Sequence, residues 1–183
     1  ALGERLFSEK RLSADNSLAC ASCHDLARGG VDRLPVSVGV GGKTGPINAP
    51  TVFNAALNFA QFWDGRAATL EDQAAGPIHN PLEMASSWAE VIPKLQQDAA
   101  YREAFARLYP GRGIGAETIV DAIAAFERTL FTESRFDRFL RGDASALDAL
   151  ERAGYRQFLD YGCASCHQGA LVGGNMYQRF GVI

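Results

Sequence analysis

Cys20-Ala21-Ser22-Cys23-His24 and Cys163-Ala164-Ser165-Cys166-His167 are two copies of one pentapeptide, and their reading decides the fold. Together they hold all four cysteines of the 183-residue chain and two of its three histidines. In C-x-x-C-H the two thiols add across the vinyl groups of a haem, and the adjacent imidazole faces the iron. A zinc site made from two C-x-x-C knuckles is the competing reading. It gives no reason for a histidine directly after each pair, and the pairs lie far apart in the chain. Two covalently bound haem c groups are therefore expected. Cys20, Cys23 and His24 would hold the first and Cys163, Cys166 and His167 the second, with His24 and His167 as proximal iron ligands.

Two haem sites favour two domains over one. The apolar fraction of 47% suffices for a core, and each haem adds an apolar plate around which side chains pack. The net charge of −3 argues against nucleic acid and anionic membrane as partners and suits a small basic redox protein. No apolar run reaches membrane-spanning length. Haem c is attached on the far side of the bacterial inner membrane, so a periplasmic location is expected, with Ala1 as the start of a processed or trimmed chain.

Gly3 and Phe7 precede the first motif, and Gly154 and Phe158 precede the second with the same spacing. This reads as a degenerate repeat in which the glycine admits a neighbouring helix and the aromatic covers a haem edge. Ile119, Ile123, Phe126 and Leu130 recur at helical intervals, predicting an amphipathic helix over Glu117 to Phe131. Ser87 and Glu90 form a capping-box pattern for a helix to Gln97, with Trp88, Val91 and Leu95 on one face. Leu147, Leu150, Gly154 and Phe158 form another stripe, ending at Gly162. The glycine- and proline-rich stretch from Gly29 to Pro50 is a long loop. Thr132-Glu133-Ser134 reads as the seam between a first domain, 1–132, and a second, 133–183.

The supply of a sixth iron ligand separates an electron carrier from an enzyme. Beyond the proximal pair there remain only His79, Met84 and Met176. Residues 168–183 are too few to wrap a haem, so the second domain is expected to be incomplete, its distal ligand lying elsewhere. Met176 more readily serves packing than ligation, and His79 is the one rival ligand for the first iron.

The segments Asn48-Ala49-Pro50-Thr51-Val52-Phe53-Asn54, Gln61-Phe62-Trp63-Asp64-Gly65-Arg66, Gln73-Ala74-Ala75-Gly76-Pro77-Ile78 and Pro81-Leu82-Glu83-Met84-Ala85 resemble the bacterial dihaem cytochrome c peroxidase family. The resemblance runs from Leu2-Gly3 to Phe180-Gly181 with both haem motifs in register. It implies an all-α fold of two cytochrome c-like haem domains with long loops: a peroxidatic domain, then an electron-transfer domain. It also implies reduction of hydrogen peroxide to water with electrons from a small cytochrome c or a cupredoxin, and leaves a homodimer open.

Carried over by residue, the resemblance makes Glu83 and Gln73 the distal pair, Trp63 an aid to electron passage between the haems, and Asn48 a ligand of an interdomain calcium ion. Chemistry supports Glu83, because peroxide cleavage needs a group that moves a proton from one oxygen to the other. Taken alone, Glu83 would read as a surface carboxylate and Trp63 as a core aromatic. The sequence departs from the family at Ser37-Val38-Gly39-Val40, where Val40 stands at the place of a loop histidine that ligates the resting peroxidatic iron in many members. The expectation is a first iron open at rest. A related dihaem enzyme that oxidises tryptophan residues of a partner protein, and a plain dihaem electron carrier, are the alternatives.

Overall fold

The computed structural model describes residues 1–173, 176 and 177. Among these the regular structure is helical, with only isolated bridges at Val38–Thr44 and Gln61–Ala67, so the all-α expectation holds. The Phe180-Gly181 end of the resemblance lies outside the described residues. The chain divides into two compact units: residues 1–56 with 60–130, and residues 57–59 with those from 131 onward.

The first unit is organised on α6 (Ala116–Glu127). Helix α1 (Leu2–Phe7) lies across it, burying Leu2, Gly3, Leu6 and Phe7. A Cβ at Gly3 would stand 1.9 Å from the Ala122 carbonyl oxygen and 2.7 Å from Phe126 Cβ, so only glycine permits this crossing. Phe7 meets Phe126 edge to face at 5.4 Å. Helix α3 (Leu70–His79) packs on another side of α6; Thr69 caps it by accepting a hydrogen bond from Asp72 N, and its Glu71 forms a two-point ion pair with Arg128. Helices α4 (Trp88–Gln96) and α5 (Ala99–Leu108) complete a core in which Leu6, Leu12, Val91, Leu95, Phe105 and Ile119 are fully buried. Between α1 and α3 lie α2 (Cys20–Cys23) and the long loop expected from its glycines and prolines.

In the second unit Ser134 caps α7 (Arg135–Leu140) through a reciprocal box with Asp137, and Asp148 caps α8 (Ala149–Asp160) through one with Glu151. Arg135 reaches Glu151 with two hydrogen bonds, 2.8 and 2.6 Å, and Phe136, Phe139 and Tyr155 cluster between the helices.

Two local expectations need correction. The Ser87–Glu90 capping box does not form: Ser87 makes no side-chain cap, and Ser86 Oγ donates to Glu90 Oε2 instead. Helix α6 ends at Glu127 rather than Phe131, because Thr129 Oγ1 bonds back to the Phe126 carbonyl and tightens the last turn. Of the repeated glycine and phenylalanine, Gly3 meets a neighbouring helix as expected, and Phe158 lies against His167. A Cβ at Gly154 meets nothing within 4 Å, and Leu150 is 82% exposed.

Gly3→Ala should therefore cost about 1–3 kcal/mol through overpacking, lowering Tm by about 2–4 °C per kcal/mol in a chain of this size. Thermal unfolding of the haem-loaded protein checks it, and an unchanged Tm would show that α1 and α6 have room to part.

Candidate haem site

The two pentapeptides share two backbone hydrogen bonds. His24 N donates to the Cys20 carbonyl and His167 N to the Cys163 carbonyl, both at 2.9 Å. Ser22 N donates to Ala19 and Ser165 N to Gly162, at 2.9 and 3.0 Å. The turns otherwise differ, Cys20–Cys23 being an α-helical turn after an extended Ala19 and Cys163–Ser165 a 3-10 turn after a left-handed Gly162. The surroundings differ: Cys20, Cys23 and His24 line a deep, mainly apolar cavity in the first unit, while Cys166 and His167 are exposed, with Phe158 set edge-on to His167 at 6.1 Å.

The donor set of the first site suits haem c better than zinc. The four cysteines are free. Burial, then the nearby Glu127 carboxyl, pushes the Cys20 thiol up to about 12, and burial pushes Cys23 up as well. These sulfurs are held as thiols, the form that adds to a vinyl group, whereas zinc requires thiolates. Burial also lowers the pKa of His24, favouring the neutral imidazole that a metal needs. Its Nδ1 lies 3.3 Å from the Gly30 carbonyl, to which a protonated Nδ1 would donate, the tautomer that presents Nε2 to a metal. Glu127 Oε2 and Ser37 Oγ, buried without a hydrogen-bond partner, both belong to residues lining the same cavity. An apolar space with two thiols and an imidazole on one wall fits a haem.

Gln73 from α3 and Glu83 from the turn that follows it line the same cavity. Asn80 Nδ2 donates to Glu83 Oε1 at 2.6 Å, and the Glu83 carbonyl accepts from Val40 N at 2.8 Å. A Cβ at Gly39 would sit 2.0 Å from the Leu82 carbonyl, so the glycine lets the loop press directly on the Glu83 backbone. Burial raises the Glu83 pKa, against the opposing pull of the Asn80 hydrogen bond and the Arg66 charge.

Trp63 lines the cavity but is 57% exposed, and its indole Nε1 donates to the Asn48 carbonyl at 3.1 Å. The turn that carries it is strained: Phe62 has φ +65°, a conformation costing about 1–3 kcal/mol. Gln61 holds this turn through Nε2 to the Ala55 carbonyl (2.9 Å) and N to the Ala67 carbonyl (2.8 Å). The Phe62 ring lies over Gly76, where a Cβ would approach it to 2.8 Å, and the Arg66 guanidinium sits 3.5 Å from the ring centroid.

Asn48 also lines the cavity; its Nδ2 donates to the Ala49 carbonyl, and no group of three or more His, Cys, Asp or Glu suited to a metal occurs among the described residues. Val40 and His79 do not line it. His79 is exposed, with Nδ1 3.3 Å from the Ser86 carbonyl and its ring against Trp88. Met176 is exposed. Three residues contribute beyond the sequence-derived set, Asn80, Arg66 and Glu127, and Met84, one of the candidate ligands, also lines the cavity. Arg66 and Met84 lie inside the quoted segments, and Glu127 occupies the next position on the buried Ile119–Ile123 stripe of α6, where helical spacing expects an apolar residue.

The family model described as di-haem cytochrome c peroxidase matches residues 1–145. The chain belongs to that family. It is 54% identical over its full length to cytochrome c peroxidase Ccp of Escherichia coli K12, covering 39% of that protein. It is 45% identical to cytochrome c551 peroxidase of Pseudomonas aeruginosa, again over the full chain and covering 54% of the relative. Among solved structures, a MauG-like protein associated with microbial copper homeostasis superimposes with a TM-score of 0.84 at 33% identity, covering 97% of this chain and 55% of the other. The chain thus spans about half the length of such relatives. The di-haem family implies haem c at the pentapeptides. No helix among the described residues is long and apolar enough to cross a membrane.

Full-length, haem-loaded protein should keep two haem masses on the chain after denaturation, and Cys20→Ser with Cys23→Ser should remove one. Mass spectrometry reads this directly; zinc in place of haem would overturn the assignment.

Proposed function

We propose that this chain serves a cytochrome c peroxidase reaction, in which hydrogen peroxide, two electrons and two protons give two waters. The observation that carries the proposal is the placing of Gln73 and Glu83 on the same cavity as Cys20, Cys23 and His24. When bound, haem supplies an iron that passes electrons one at a time. The side chains do the rest. Glu83, as carboxylate, takes the proton from one peroxide oxygen and returns it to the leaving oxygen. Gln73 orients the peroxide by hydrogen bonding, and Asn80 fixes the Glu83 carboxyl so that one oxygen is held and the other is turned to its task. Trp63, on the cavity lining, would aid electron passage toward a haem held by Cys20, Cys23 and His24, and Cys163, Cys166 and His167 would hold a second haem as the source of electrons. An electron carrier has no use for a raised-pKa acid beside its iron.

The proposal extends to a periplasmic setting, a small cytochrome c or cupredoxin as donor, and calcium bound with the help of the Asn48 side-chain oxygen. It includes a first haem open at rest, since valine at position 40 offers iron nothing.

Because Glu83 acts as a carboxylate with a raised pKa, kcat/KM should fall as pH drops through a value above the ordinary 4.5 of glutamate. Glu83→Gln should lower kcat/KM by about 10²–10⁴ and remove that acid limb; an unchanged rate would take Glu83 out of the mechanism.

The oxidised resting protein should show one high-spin haem. A spectrum with both haems low-spin would show that the first iron is already ligated. A histidine–methionine signature there would assign Met84, buried on the cavity wall.

A further inference from the structure

Glu127 is a carboxyl without a task in the chemistry above. It stands at the C-terminal end of α6 on the haem-cavity wall, only 5% exposed, and its Oε2 has no hydrogen-bond partner. An ionised carboxylate buried without a partner costs several kcal/mol, and the usual resolution is a proton. Burial raises the Glu127 pKa to about 7; Arg128 opposes the shift and Glu71 adds to it.

The charges around it are largely engaged elsewhere. From α3, Glu71 is tied to Arg128 by its two-point ion pair. From α2, Cys20 is the nearest titratable group of the motif, and a thioether there carries no charge. On α1, Glu4 binds the N-terminal amine and Arg5 lies over Tyr101. Arg66, on the same cavity, pairs with Asp64, and Asp121 on α6 accepts from Tyr109. Glu83, the other carboxyl on this cavity, accepts from Asn80 Nδ2, whereas no donor reaches Glu127 Oε2; the charge of a haem iron there would fall by one on reduction. In a water-poor cavity a change of one charge at short range shifts a carboxyl pKa substantially.

We propose that Glu127 couples a proton to the redox state of the haem attached at Cys20 and Cys23. The proposal rests on haem attachment at that motif and is independent of peroxide turnover. Ferric iron plus one electron from a one-electron reductant gives ferrous iron, and the carboxylate takes one proton from bulk water onto an Oε atom. Oxidation reverses both. The proton thus offsets the electron's charge inside an apolar cavity and makes that haem easier to reduce below neutrality than above it.

The test is a spectroelectrochemical titration of the full-length dihaem protein from pH 5.5 to 8.5. In the native protein one of the two couples should fall with pH across neutrality, approaching 59 mV per unit, the equivalent of a tenfold change in proton activity for one electron. Glu127→Gln, nearly isosteric and unable to titrate, should flatten that couple and leave the other unchanged. Glu127→Asp should restore a slope. Equal slopes in native protein and Glu127→Gln would overturn the proposal, even if haem content and peroxide turnover are normal. If Glu127→Gln fails to take up haem, the infrared redox difference spectrum of the native protein decides. A carboxylic acid C=O band that appears on reduction and shifts in D2O supports the proposal, and its absence overturns it.

Discussion

The crossing of α1 over α6 at Gly3 is the constraint from which the first unit is built. Helix α1 has only six residues and could not persist alone. It is held by burying Leu2, Leu6 and Phe7 against α6, which requires backbone to meet side chain at a distance no Cβ would allow. With α1 fixed on one side of α6 and α3 on another, the end of α6 is left to form cavity wall. That is why a helix whose central residues, Ile119 and Ile123, are ordinary core terminates in a buried carboxyl: its last turn faces the space where the first C-x-x-C-H motif opens.

Another part of the wall is made by turns, and turns demand a different kind of support. Regular helices satisfy their own backbone groups, whereas the segments that carry Trp63 and Glu83 must borrow partners. The 61–67 turn draws on the Ala55 carbonyl and an isolated bridge; the 80–86 turn draws on Asn80, on the Pro77 and Ile78 carbonyls of α3, and on Val40 N. Two left-handed non-glycine residues, Phe62 and Ala85, mark the places where the chain is forced. Strain of this sort persists only where surrounding contacts over-determine it. Here those contacts are the Gly76 shelf under Phe62 and the clamp of the Gly39 loop on Glu83. The Ser37–Val40 segment, read in the sequence for the ligand it lacks, has a structural role as well: it fixes the height of the acid.

The haem motifs, the long loop and the helices around Ile119 and Val91 were legible because each rests on spacing or composition over a few consecutive residues. Helix α3 was not, since its ten residues include Gly76 and Pro77, both poor helix formers, and its stability comes from α6 and from the Thr69 cap. The capping box at Ser87 misled for the converse reason: the local pattern was present, but the neighbouring Ser86 hydroxyl takes Glu90. Glu127 carries a weak signal in the sequence. Its position four residues after Ile123 placed it on the buried stripe, yet a charged residue there is easily set aside as the point where a helix reaches solvent. Asn80 left no signal beyond being a turn residue, because its value lies in meeting Glu83 three residues later.

The two pentapeptides show how far an identical sequence leaves chemistry undetermined. Two backbone hydrogen bonds recur in both to about a tenth of an ångström, although one turn is α-helical and the other 3-10. The larger difference is the medium. Around Cys20 and His24, burial raises the thiols and lowers the imidazole, and two titratable carboxyls, Glu83 and Glu127, share the same cavity with pKa values pushed upward. Both carboxyls rise because of burial, but Asn80 Nδ2 donates to Glu83, which favours its ionised form, whereas Glu127 Oε2 is buried without a donor, which favours the neutral one. Two acids separated in this way can serve different ends in one apolar space: an ionised base toward substrate, and a proton-holding group toward the charge of the cofactor.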